Sequence, residues 1–346
     1  MRFSNFLFPE SRDPADDERI IAETIEEARL TDSLGFDTIW LAEHHFDGIC
    51  AYVDPVSFAA ALAPAIRHAR IGFAVAQMSL HHPVRFTEQM ALLDNLLRGR
   101  FIIGIGRGTA YNIYDYQGYD IAPDEAQERL EESEAILQAA WTGEPVDHRG
   151  RFWTLRIPML RPRPFSPRPP ILRAASGAES LLVFARQGRP FMMNVQSLET
   201  TTTRIHAYRA ALAESGHDEA DIAACLDQTW VWRNVFVGET DAEAERIAVP
   251  AFHAMQQQRK AMRERVFAET GNRLAHAAVA APSHTQLEHA LVYGSPATVT
   301  AELVKLKRLG IGGLIMQFRL GPMSHQDAAA SLTLFADTVA PALQRA

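Results

Sequence analysis

The chain predicts an α/β protein of the (β/α)8, or TIM, barrel type, built as a single domain of 346 residues. Three observations carry that prediction. Short apolar runs alternate with stretches of helical period from one end to the other, giving eight strand–helix pairs. No stretch of linker composition divides them. The length exceeds the ~250 residues of a plain barrel by what one inserted hairpin and one polar excursion would need.

Taken in order, residues 3–8 form the first strand, and the next helix places Ile21, Ile25 and Ala28 on one face. Gly35 stands where a left-handed cap would end it. Residues 36–41 are the second strand. A helix over 55–67 leads to the third, at 71–78. Pro83 opens the following helix, where its missing N–H costs little, and Phe86, Met90, Leu93 and Leu97 line one stripe. Residues 101–105 are the fourth strand, and Ala126, Leu130, Leu137 and Trp141 mark its helix. After Gly143 the rhythm breaks. Residues 146–155 read as a hairpin and 161–170 as a proline-rich connector, an insertion over about 144–170. Strand 171–175, helix 178–187, strand 191–195, helix 201–215 and strand 229–237 resume the alternation. The stretch 251–292 is polar, lacks a steady period, and reads as a helical excursion or mobile lid. Ser295-Pro296 restarts a helix bearing Val299, Leu303 and Leu306, strand 313–318 follows, and a helix from about Asp327 closes the chain.

The composition, 47% hydrophobic and 22% charged, is that of a globular protein. Lys and Arg number 34 against 42 Asp and Glu, a formal charge of −8, with no long basic run. Nucleic acid and anionic membrane surfaces are therefore disfavoured as partners. Cys50 and Cys225 make no disulfide framework and have no metal-type spacing, which suits a reducing compartment. The N-terminus carries no signal-peptide pattern and no apolar run is long enough to span a bilayer, so the expected location is the cytoplasm.

Chemistry concentrates at strand exits. The second strand runs into Trp40-Leu41-Ala42-Glu43-His44-His45-Phe46, an acid and two imidazoles at the end where barrels build active sites. Neighbouring strand residues point to opposite faces, so this pair is poorly arranged to grip one ion, and no metal is expected. His81-His82-Pro83 stands at a helix start and reads as packing and capping; Cys50 reads as a small buried side chain. After the fourth strand, the glycines of Gly104-Ile105-Gly106-Arg107-Gly108 permit close approach of a ligand, and Arg107 offers a fork for phosphate. The third glycine is misplaced for a dinucleotide fingerprint. Tyr111, Tyr114, Tyr116 and Tyr119 suggest that an aromatic-lined loop follows. Ala174-Ala175-Ser176-Gly177-Ala178-Glu179-Ser180 puts small residues at a helix N-terminus, and with Arg107 would make a monophosphate cradle.

Together these segments resemble the bacterial luciferase-like, flavin-dependent monooxygenases (alkanal monooxygenase type). The likeness runs through Arg2 to Leu7, Trp40 to Phe46, Ile71 to Val75, His82 to Arg85, Leu92 to Asp94, Gly99 to Phe101 and Gly104 to Gly108. It covers the N-terminal third closely, returns at the Ser176 turn and at Gly294-Ser295-Pro296, and is an outline elsewhere. The resemblance implies a barrel that binds FMN, as reduced FMNH2, at its C-terminal mouth. Arg107 would hold the phosphate, with Gly108, Ser176, Gly177, Ala178 and Ser180 completing its site. Ala74-Val75 matches a place where the family often has a cis peptide bond beneath the isoalloxazine ring. His44 matches the catalytic histidine that works at the oxygenated C4a position, and His45 and Glu43 would support it.

In luciferase an acidic residue in the loop after Arg107 helps this pair; the matching residue here is Ile113, with Asp115 the alternative. The implied activity is oxygenation of a small apolar organic substrate with O2, reduced flavin coming from a separate NAD(P)H:flavin reductase. Phe6, Phe8, Tyr111 and Tyr114 would line the substrate pocket, 251–292 would cover it, and a homodimer is expected. A deazaflavin-dependent oxidoreductase on the same fold is the nearest alternative, and a non-catalytic flavin-binding protein the alternative of another class. The Glu-His-His segment favours FMN over deazaflavin, and the retained histidine speaks against the non-catalytic reading.

Overall fold

The structure, a computed structural model, describes residues 1–108, 113–175, 177–271 and 291–346. In chain order its strands are β1 (Arg2–Leu7), β2 (Thr38–Leu41), β3 (Arg70–Phe73) with its continuation β4 (Ala76–Gln77), β5 (Phe101–Gly106), the antiparallel hairpin β6 (Val146–Arg149) and β7 (Thr154–Ile157), β8 (Ile171–Ala175), β9 (Phe191–Met193), β10 (Trp230–Val237), β11 (Leu291–Gly294) and β12 (Gly313–Gln317). Hydrogen-bonded neighbours run β1-β2-β3-β5-β8-β9-β10-β12 and return to β1, all parallel, so the eight expected strands close a barrel. The predicted hairpin is present as β6 and β7, off the barrel circuit.

Alternation along β1 sorts its side chains. Ser4 and Phe6 enter the barrel, whereas Asn5 reaches outward to Glu27 and Thr31 of the first helix, α1 (Asp17–Ser33), at 3.0 Å each. Trp40 of β2 and Trp230 of β10 meet edge-to-face with centroids 5.0 Å apart, although two strands separate them in the sheet order. Only the barrel interior allows that contact. Trp40 Nε1 donates to Ser4 Oγ at 2.8 Å, which satisfies its one polar group. One layer nearer the mouth, Phe6 packs on Trp232 at 4.5 Å. Each buried tryptophan is worth roughly 4–6 kcal/mol of transfer free energy, before ordering entropy is subtracted. The bulk is accommodated by Gly72, where a Cβ would lie 2.4 Å from the Trp40 ring.

The outer layer comprises α1, α2 (Pro55–Leu62), α3 (Pro83–Leu96), α4 (Ile113–Gly118), α5 (Ala126–Ala140), α6 (Ala178–Arg186), α7 (Leu198–Glu214), α8 (Glu219–Asp227), α9 (Asp241–Thr270) and the helices Pro296–Lys307, His325–Leu334 and Ala340–Arg345. Gly35 follows α1 at φ 78°, as its place in the sequence predicts. α2 is shorter than the expected helix over 55–67, and Asp54 caps it by accepting from Val56 N–H at 2.9 Å.

Two expectations need correction. Residues 113–118, read as loop, form the short helix α4. α8 and β11 were not foreseen. The polar stretch from 251, expected as a helical excursion or a lid, is helical in its first part: it belongs to the 30-residue α9, whose Ala244, Ala248, Ala251, Phe252 and Met255 pack with Phe236, Leu291 and Leu320. That stripe has helical spacing, but alanines give it little contrast against their polar neighbours. The rest of the excursion, 272–290, lies outside the described residues. Among the described residues no helix is long and apolar enough to cross a membrane.

Candidate active site

Tyr52 ties the C-terminal ends of β1 and β2 together. Its hydroxyl donates to Leu7 C=O and accepts from Ala42 N–H, both at 2.8 Å. Beyond this clamp the alternation of β2 persists into the Glu-His-His segment. His44 lies on the interior side, its ring edge-to-face against Phe8 at 5.0 Å. Phe8 in turn stacks near Phe6 at 6.0 Å. His44 N–H donates to Val53 C=O at 3.3 Å, and its Nδ1 lies 3.6 Å from Asp47 Oδ2. The His44 side chain is 28% exposed, the Asp47 carboxylate 6%.

Glu43 points the other way, into a buried hub. His45 Nε2 lies 2.9 Å from Glu43 Oε1, and His81 Nε2 lies 2.9 and 3.0 Å from the two oxygens. Gln77 N–H donates to Oε2 at 2.6 Å. Burial alone would push this carboxyl up; the His81 and His45 rings and the Gln77 N–H outweigh it and hold the group at about 2. Burial likewise opposes the charged form of His45, but its bond to Glu43 raises its affinity for a proton. Asp115, wholly buried on α4, accepts from His45 N–H at 3.1 Å and from Gln77 Nε2 at 2.7 Å. The sequence reading set His81 aside as a cap. The fold returns it to Glu43 through a single turn of helix, 78–80. Among the described residues no group of three or more His, Cys, Asp or Glu is disposed to hold a metal ion.

The phosphate candidates lie on neighbouring strands. Arg107 follows β5 with its side chain exposed, and Ser79 Oγ (3.0 Å) and Tyr116 Oη both donate to its carbonyl. Gly108 comes next, at φ 83°. Across the β5–β8 pair, Gly177 is the N-cap of α6, followed by Ala178 and Ser180 in the first turn; among the described residues nothing lies within 4 Å of where a Gly177 Cβ would stand. The Ala74–Val75 peptide bond is cis, at the place the resemblance indicated. Val75 C=O accepts from Glu43 N–H at 3.1 Å, which locks this turn to the histidine segment. Ala74 and Val75 are half-buried, and Ala174 is exposed despite its mid-strand position. Tyr114 hydrogen-bonds Glu269 and stacks under Arg265 of α9, so it lies against that helix rather than beside Phe6 and Phe8. Tyr111 and Ser176 fall outside the described residues.

The model of the luciferase-like monooxygenase family matches residues 1–312. The chain belongs to that family. Among curated relatives, the flavin-dependent trigonelline monooxygenase, oxygenase component, of Acinetobacter baylyi is 32% identical over 182 residues, 52% of this chain and 50% of that protein. Matches to other curated relatives span between 42% and 67% of their lengths. Among solved structures, the oxygenating constituent of 3,6-diketocamphane monooxygenase from Pseudomonas putida, a type II Baeyer–Villiger enzyme in complex with FMN, superposes with a TM-score of 0.80 at 21% identity, covering 99% of this chain and 98% of that one. An F420-dependent secondary alcohol dehydrogenase superposes at 0.75 with 17% identity, covering 99% and 98%. At these identities the structural likeness is one of fold.

Proposed function

We propose that this luciferase-like protein is the oxygenating enzyme of a two-component flavin system, binding reduced FMN at the barrel mouth and using O2 to oxygenate a small apolar organic substrate. The observation that carries the reading is convergence on one rim. His44 emerges from β2, the exposed Arg107 from β5 two strands along, and the open N-terminus of α6 from β8 beyond it. These residues fit a flavin with a phosphate tail: a guanidinium and a helix N-terminus whose cap position brings no side chain are complementary to a phosphate.

Bound reduced flavin would supply the two electrons that activate O2. Within that reading the chain's own groups divide the remaining work. Arg107, with Gly108, Ser176, Gly177, Ala178 and Ser180, holds the phosphate. Ala74 and Val75 form the bed of the ring. His44 holds and moves the proton, with Glu43 and His45 as the supporting pair behind it. Phe6 and Phe8 give the substrate its apolar surroundings, from which water is excluded; Tyr111 and most of the expected cover lie outside the described residues. The trigonelline relative is named as an oxygenase component, which supports a separate NAD(P)H:flavin reductase here.

A homodimer is part of the proposal. Leu92 and Leu96, one turn apart on α3, are 49% and 50% exposed, and Phe165, 59% exposed, sits on a connector joined to α3 by Ser166 N–H to Asp94 at 2.7 Å. That apolar face suits a second copy.

Titration of anaerobic protein with reduced FMN and, separately, reduced F420, followed by 18O2 and a panel of apolar substrates, tests the reading. Preference for FMN and label in the product are expected. Binding of F420 alone, or flavin binding without any labelled product, would overturn it.

A further inference from the structure

We infer that Asp47 is the positioning residue of His44, holding its imidazole as the Nδ1–H tautomer and directing Nε2, as an acceptor, away from the loop. The inference rests on the proposed role of His44 and deepens it. Residues 44–50 turn back on themselves because Phe46 (φ 58°) and Gly48 (φ 69°) both adopt left-handed backbone. For phenylalanine that conformation is uncommon. Its result is to bring the Asp47 carboxylate under the ring three residues earlier. Asp47 Oδ1 is engaged by the N–H groups of Ile49 (2.8 Å) and Cys50 (3.3 Å), which fixes the carboxylate's plane. Oδ2 is the oxygen that faces His44 Nδ1, at 3.6 Å.

An ionised carboxylate only accepts, so the nitrogen opposite it is the one that carries hydrogen. Which ring nitrogen is protonated is set by the partner of the other, and the edge-to-face contact with Phe8 holds the ring in its plane. Catalytic hydrogen bonds are commonly long without substrate and shorten in the working complex. The neighbouring acids are engaged elsewhere. Asp115 accepts from His45 N–H and Gln77, Glu43 from His45, His81 and Gln77, and Glu10 pairs with Arg12 at 3.3 Å. Asp115, the acid the sequence offers in place of the one missing at Ile113, is bound to the backbone of the second histidine and to the Gln77 amide.

Histidine-selective 15N labelling and long-range 1H–15N spectra at about pH 8.5, where an ordinary histidine is neutral, test the inference. The His44 signal is assigned by its loss in His44→Ala. In the unmodified protein His44 should show a protonated Nδ1 and an acceptor Nε2. In Asp47→Asn, whose amide oxygen still accepts from Ile49 and Cys50, it should switch to the Nε2–H form, and product formation should fall ~10- to 1,000-fold with the KM for reduced FMN within about twofold. The Nε2–H form in the unmodified protein, or a spectrum unmoved by Asp47→Asn, overturns the assignment, and the first of these needs no variant to fold. A tautomer switch with normal product formation in both Asp47→Asn and His44→Ala would uphold Asp47 as the orienter while refuting the proposed catalytic role of His44.

Discussion

Glu43 has two imidazoles and a backbone N–H converging on one buried carboxylate, and the charge this stabilises ties folding to pH. Its folded value, about 2, lies below the ordinary 4.5, so its contribution is complete above pH 4.5 and drains away as pH falls towards 2. His45 is shifted the opposite way by the same partner. Its share is present below the ordinary 6.5 and is lost as pH rises through its elevated folded value. The two are ends of one interaction and do not add. Urea unfolding at a series of pH values should show about 3 kcal/mol of stability lost between pH 4.5 and 2, and Glu43→Gln should flatten most of that slope. An unchanged slope in the variant would move the acid sensitivity elsewhere. At this scale the sequence exposes Glu43, His44 and His45 through their place at a strand exit. It conceals His81, because a His-Pro step reads equally well as a cap. Asp47 was hidden by a left-handed Phe46 that no propensity favours.

Apart from β8, with its exposed Ala174, the strands of this barrel are largely buried on both faces, so they appear in sequence as mostly apolar runs, and all eight were legible. What escaped were elements of weak contrast: α8, whose inner face is only Ile222, Cys225 and Leu226, the four-residue β11, and the alanine-striped α9. The glycines within and just after β5, Gly104, Gly106 and Gly108, are legible as a motif but not in their structural meaning. Gly104 was read as room for a ligand. In the fold a Cβ there would lie 1.6 Å from Phe73 C=O and 2.6 Å from Met192, so its first duty is to let β5 approach β3. Gly104→Ala should therefore cost about 3 kcal/mol or more, as overpacking against backbone does. Urea unfolding measures this directly, and a loss under about 1 kcal/mol would mean that β5 can shift without harm.

Across the whole molecule, one end of the barrel gathers the polar chemistry while a lateral face keeps exposed leucines. If that face joins two copies, Leu92→Glu with Leu96→Glu should halve the sedimenting mass while leaving the far-UV spectrum intact; a native protein already monomeric at micromolar concentration would remove the homodimer from the account. The mouth itself bears the larger claim, that a flavin is held by its phosphate between the β5 and β8 exits. The most direct measurement compares dissociation constants for reduced FMN and reduced riboflavin in the native protein and in Arg107→Ala. The native protein should prefer FMN by ~10- to 100-fold, the worth of a charge-assisted bond, and the variant should lose this preference with riboflavin affinity almost unchanged. Equal weakening of both ligands, or no preference for the phosphate at the outset, would contradict that claim.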